Sequence, residues 1–222
     1  MEINNFFKNR AETKKFGVDK LGFNFVVNKN WGKENFKHVV LLTGIPEKAG
    51  QLTDKENLNL LFDQKLAVCQ VYYDGFLVDK NKSSKLREST KKAIFSAKDN
   101  PMIIAYSAGA LNLTNFSDDE INKVSQVVLI NPFLGDKIIS DKLRVVGKIL
   151  PKTDMVINEL RVGLEKLARL NKLKVITSNK DDLLNSEAIV NLLGKFLPKE
   201  MFSERNGDHG ITQQELLNII NN

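Results

Sequence analysis

The sequence predicts an α/β fold with a mostly parallel, doubly wound sheet. Three observations carry this. Short apolar runs recur at residues 38–43, Leu66–Tyr73, Met102–Tyr106 and Gln126–Ile130, and each is continuous rather than alternating. Continuous apolarity marks strands buried on both faces, as in a parallel sheet covered by helices. Segments of helical spacing or helix-forming composition separate many of the runs, which is the order of βαβ units. At 222 residues the chain fits one domain with a single sizeable core, and the expectation is one domain over 1–222.

Taken in order, residues 21–27 read as a strand and 31–37 as a polar turn. Residues 38–43 form a buried strand ending at Gly44. Residues 57–64 carry leucines at helical spacing, and Leu66–Tyr73 is the next strand, closed by Asp74-Gly75. Residues 85–98 are polar and helix-forming, with Asn100-Pro101 as a stop. Met102–Tyr106 is then a strand, 108–116 a helix, and Gln126–Ile130 a strand stopped by Asn131-Pro132. Residues 172–177 are a further strand, 186–196 a helix, 200–204 a short last strand and 213–220 a closing helix. Between the strands at 126–130 and 172–177, two short helices are expected at 137–150 and 155–170, separated by Pro151. The stretch 137–170 therefore reads either as a small helical lid or as an extended crossover.

Composition narrows the function. Hydrophobic residues are 42% and charged residues 27%, the balance of an ordinary globular protein. No apolar run has the length of a membrane-spanning helix, and the first residues lack the apolar core of a secretory signal. Cys69 is the only cysteine, so neither an internal disulfide nor a cysteine-based zinc cluster is available. Its apolar neighbours mark it as a buried, inert thiol. A cytoplasmic protein is the resulting expectation. The net charge of +6 comes from scattered lysines; only six of the 33 basic residues are arginine, and no basic run of five or more appears. Nucleic acid is not expected as a partner. Neither G-x-G-x-x-G nor G-x-x-x-x-G-K-[ST] is present, which removes the main support for a nucleotide-binding reading.

The most specific motif is Met102-Ile103-Ile104-Ala105-Tyr106-Ser107-Ala108-Gly109-Ala110-Leu111. A serine stands at the end of an apolar strand with small residues two before and two after it, and a helix-compatible run follows. Small side chains at Ala105 and Gly109 are expected because larger ones would collide across a tight strand-to-helix turn. The segment resembles the nucleophile elbow of α/β-hydrolases, with alanine in the first glycine position of G-x-S-x-G. That resemblance implies an α/β-hydrolase fold with at most a small helical lid.

The resemblance also implies a site. A serine hydroxyl needs a base, and histidine has the suitable pKa. Of the two histidines, His38 begins a strand whose far end should form the active edge, roughly 17 Å away at ~3.3 Å per residue. His209, in Asn206-Gly207-Asp208-His209-Gly210, stands where the family places its histidine. Ser178-Asn179-Lys180-Asp181-Asp182-Leu183-Leu184 resembles the family's acid loop. Asp181 holds the matching register, with Asp182 and Asp136 as alternatives. The backbone N–H groups of Ala108 and Ile45 are expected as oxyanion donors; Thr43 stands where the family commonly has histidine, and Pro46 has no N–H to give. Tyr106 is expected as a pocket wall.

These residues together imply a serine hydrolase acting on an ester, thioester or related acyl bond of a small molecule, with no metal or organic cofactor. Acyl transfer by the same residues, and a non-catalytic binding protein on the same fold, are the alternatives. Substrate and oligomeric state are not legible in the sequence.

Overall fold

A computed structural model describes residues 14–18, 23–42, 66–73, 80–140 and 150–222. Eight strands form one sheet in the order β1-β2-β4-β3-β5-β6-β7-β8. The strands are β1 (Lys14–Val18), β2 (Phe23–Val27), β3 (Lys37–Leu42), β4 (Leu66–Tyr73), β5 (Met102–Tyr106), β6 (Gln126–Ile130), β7 (Leu173–Ser178) and β8 (Phe202–Arg205). From β4 through β8 every neighbouring pair is parallel. β1 and β2 extend the β4 side as antiparallel strands. The chain steps from β3 out to β4 and returns across β3 to β5. In open α/β sheets, such a switch point opens a crevice at the carboxyl ends of the strands.

The continuous apolar runs have the cause the sequence suggested. In β5, Ile103 and Ala105 enter one core cluster while Met102, Ile104 and Tyr106 enter the other. β6 divides in the same way, with Val127 and Leu129 opposite Val128 and Ile130. Helices α1 (Lys80–Ser96), α3 (Thr153–Arg169) and α4 (Ser186–Leu193) cover the first face through Ile94, Leu160, Leu164, Ile189 and Leu193. Helix α5 (Gln213–Asn221) covers the other through Leu216, Leu217 and Ile220. Among the described residues no helix is long and apolar enough to cross a membrane. Cys69 is buried in β4, and burial pushes its thiol pKa far up.

Several expectations are corrected. The helix expected over 108–116 is a 3-10 helix, Ser107–Leu113, and ends three residues early. It closes with Thr114 N–H donating to Leu111 O, and the ψ of 137 at Thr114 turns the chain out of the helix. Helix α2 (Asp118–Lys123) was not anticipated, although Ser117 and Glu120 form a capping box whose S-x-x-E pattern is visible in the sequence. Residues 137–140 are not helical: Ile138 is buried and Ile139 bridges to Leu184. Residues 141–149, and the helix expected at 57–64, lie outside the described residues.

Candidate active site

Ser107 follows β5 directly and has φ 51, a left-handed conformation that costs a non-glycine residue energy. The turn places it half-buried at the carboxyl edge of the parallel strands. Gly109 explains the tightness. A Cβ there would lie 2.0 Å from the carbonyl oxygen of Leu42, at the end of β3. The constraint on Gly109 is therefore the neighbouring strand, not a collision with Ala105 across the turn. Phe133 N–H donates to Ser107 O at 2.9 Å and ties the turn to the segment after β6.

His209 lies in the loop between β8 and α5, with its side chain 8% exposed. Its Nδ1 is 2.7 Å from Asp181 Oδ2, and its Nε2 is 3.2 Å from Ser107 Oγ. Asp181 is fully buried at the side chain. Its other oxygen, Oδ1, accepts from the backbone N–H groups of Leu183 and Leu184, each at 2.9 Å. A carboxylate only accepts, so the proton of neutral His209 sits on Nδ1 and the Nε2 lone pair faces the Ser107 hydroxyl. The structure thus brings Ser107, His209 and Asp181 into one hydrogen-bonded line.

The alternative acids are placed otherwise. Asp182 is exposed, and its carbonyl accepts from Ser140 Oγ. Asp136 accepts from Thr153 N–H and Oγ1 at the start of α3 and from Lys152 Nζ. The Lys152 and Thr153 hydrogen bonds hold its carboxyl below the usual carboxylate range. His38 sits near the opposite end of β3, buried, in register with Ala67 of β4.

Ala108, the residue after the serine, is buried at the start of the 3-10 helix. Ile45 lies outside the described residues. Tyr106 is not a pocket wall. It is 1% exposed, because its position in β5 turns it toward the α5 side of the sheet. Its hydroxyl donates to His209 O at 2.8 Å, and its ring packs 5.2 Å from the imidazole. Burial, then the negative charge of Asp181, raises its pKa well above the ordinary phenol value, so the hydroxyl keeps its proton as a donor. Sequence reasoning missed Asn131, which it took only as a strand stop. Asn131 Nδ2 also donates to His209 O at 2.8 Å.

No protein-family model matches the chain, and no curated protein sequence is similar to it. Solved structures are. A thioesterase domain from the curacin biosynthetic pathway superposes with a TM-score of 0.62 at 13% identity, over 96% of this chain and 100% of that one. A soluble variant of monoglyceride lipase from Saccharomyces cerevisiae gives 0.58 at 12% identity, over 95% and 92%. Naproxen esterase from Bacillus subtilis gives 0.56 at 11% identity, over 99% and 93%. The chain has the α/β-hydrolase fold.

Proposed function

We propose that this chain is a serine hydrolase that cleaves a carboxylic ester, thioester or related acyl bond through an acyl-enzyme on Ser107. The observation that carries the reading is the line Ser107 Oγ, His209 Nε2, His209 Nδ1, Asp181 Oδ2, starting at a serine held in a left-handed turn. His209 takes the Ser107 proton as Oγ attacks the carbonyl carbon. Asp181 orients the imidazole and stabilises the imidazolium that forms. The N–H groups of Ala108 and of Ile45, the latter proposed from its place in the sequence, hold the oxyanion. His209 then protonates the leaving group. Water, deprotonated by the same imidazole, attacks the acyl-enzyme and releases the acid.

Support for the acyl class comes from the proteins sharing the fold, which include a thioesterase domain, a lipase and an esterase. The test is labelling with a fluorophosphonate and peptide mass mapping. Label on Ser107 in the wild-type protein, absent from Ser107→Ala, is the expected result. Label that persists in Ser107→Ala, or well-folded wild-type protein that takes none, overturns the reading.

A further inference from the structure

The loop that carries His209 is held through its backbone carbonyls. Three consecutive backbone carbonyls, those of Asp208, His209 and Gly210, each accept from side chains outside residues 206–210. Arg205, the last residue of β8, donates through Nη2 to Asp208 O at 2.7 Å and also to Gly210 O. Tyr106 Oη and Asn131 Nδ2 both donate to His209 O, each at 2.8 Å. The donors are themselves held. Ser178 Oγ donates to Asn131 Oδ1 at 2.9 Å, which aims the Asn131 amide nitrogen at His209. Arg205 Nη1 pairs with Glu215 Oε1 at 2.9 Å, and Glu215 belongs to the capping box that starts α5. Tyr106, Asn131 and Ser178 are buried, with exposures of 1%, 0% and 0%.

The loop sequence is Asn206-Gly207-Asp208-His209-Gly210. Two glycines give it wide backbone freedom. The Asp181 contact fixes only one end of the imidazole. If the backbone at residue 209 turned, the ring would pivot about that contact and Nε2 would swing away from Ser107 Oγ. Reactivity is steep in such displacements, and about 1 Å can cost roughly 10²-fold. A second fixed point, at the backbone of residue 209, is what the three carbonyl contacts supply.

We infer that Tyr106, Asn131 and Arg205 are positioning residues, which hold His209 against Ser107 by clamping the carbonyls of residues 208–210. The inference rests on the serine-hydrolase reading. It adds that this histidine is oriented from the ends of β5 and β8 and from the residue after β6, and not by its acid alone.

The test uses Tyr106→Phe, Arg205→Met and the double variant. Asn131 is left intact because its φ of 42 would strain most replacements. Two quantities are measured. One is the second-order rate of fluorophosphonate labelling at Ser107. The other is the downfield proton resonance of His209 Nδ1–H, assigned by its loss in His209→Gln. Each single variant should label about tenfold more slowly and the double about 10²-fold, with the resonance broadened. Ile189→Val, a core truncation under α4, should label at the wild-type rate and keep a sharp resonance. If wild-type protein labels, and the variants label within about twofold of it with the resonance unchanged, the clamp is overturned while the hydrolase reading stands. If wild-type protein takes no label, the hydrolase reading falls. The resonance then decides the clamp: broadening supports it and an unchanged line overturns it. Should the double variant fail to fold, Tyr106→Phe, which removes one oxygen atom, carries the same comparison.

Discussion

The two histidines occupy opposite edges of the same sheet, and burial does not distinguish them. His38 is 2% exposed and His209 6%. Each has an acceptor on Nδ1 and a carboxylate nearby. At His38 the acceptor is the carbonyl of Phe36 at 3.0 Å, and the carboxylate is that of Asp99, 3.8 Å away and 64% exposed. At His209 acceptor and carboxylate are one group, Asp181 at 2.7 Å, itself buried and held by two backbone N–H groups. The second nitrogen differs as much. Among the described residues, buried His38 Nε2 has no hydrogen-bond partner, and the imidazole packs edge-to-face on Trp31 with ring centroids 5.3 Å apart. His209 Nε2 faces a hydroxyl. Both imidazoles carry their proton on Nδ1, yet only one has a proton to accept and a buried negative charge to stabilise the result. What suits an imidazole to act as a base is the pair of groups on its two nitrogens.

The largest effect should come from removing the charge at Asp181. In Asp181→Asn the acceptor-only group becomes one that can also donate, so the imidazole loses its preference for the Nδ1 proton. Labelling or turnover at Ser107 should fall by about 10⁴-fold. Asp182→Asn, an exposed change one residue away, should stay within about twofold. Kinetics of both variants side by side decide the matter. A collapse in Asp182→Asn with little change in Asp181→Asn would break the contrast between the two edges.

A middle-sized effect is expected from the third aspartate, and on stability instead of rate. Asp136→Ala removes the acceptor for Thr153 N–H and should lower unfolding free energy by about 1–2 kcal/mol. Urea unfolding measures the loss, and labelling of Ser107 should keep its wild-type rate. Slower labelling in a stable Asp136→Ala protein would return that carboxylate to the site.

How far the sequence could be read follows from where each signal lies. Leu66–Tyr73, Met102–Tyr106 and Gln126–Ile130 were legible to the residue, because burial on both faces writes itself as unbroken apolarity. β1, Lys14-Lys15-Phe16-Gly17-Val18, was not: an edge strand with two lysines and a glycine carries little of that pattern. The end of the elbow helix was missed because Thr114 breaks it through a backbone angle, which composition does not report. At the site, Ser107, Asp181 and His209 are expected from resemblance to the family's elbow, acid loop and histidine loop, with Asp182 and Asp136 as alternative acids. The contacts of Tyr106, Asn131 and Arg205 could not be read in this way. Tyr106 and Asn131 lie 103 and 78 residues from the carbonyl they hold, so only the assembled sheet pairs them. Arg205 lies close in sequence, but nothing in Arg205-Asn206-Gly207-Asp208 says that its guanidinium folds back over the loop.

The smallest effect sharpens the comparison from the His38 side, through pH. Burial lowers the pKa of His38; the Phe36 carbonyl and Asp99 raise it in part, and Lys123 adds a small lowering. The unfolded chain takes up a proton as pH falls through about 6.5, whereas the folded protein keeps this imidazole neutral to lower pH. The unfolded state then binds more protons, so stability is fully present above about 6.5 and is lost as pH falls below it. One such group contributes at most about 1.4 kcal/mol per pH unit. His38→Leu removes the linkage together with the buried, unpaired Nε2. Its thermal midpoint should fall less between pH 7.5 and 5 than that of the wild-type protein. Labelling of Ser107 in His38→Leu should match the wild-type rate at each pH in that range, since this imidazole lies at the far edge of the sheet from the proposed base. An equal pH slope in both proteins would show that His38 is not the titrating group. Slower labelling at neutral pH would mean that the two edges are coupled, and the separation between the buried histidine and the proposed base would fail.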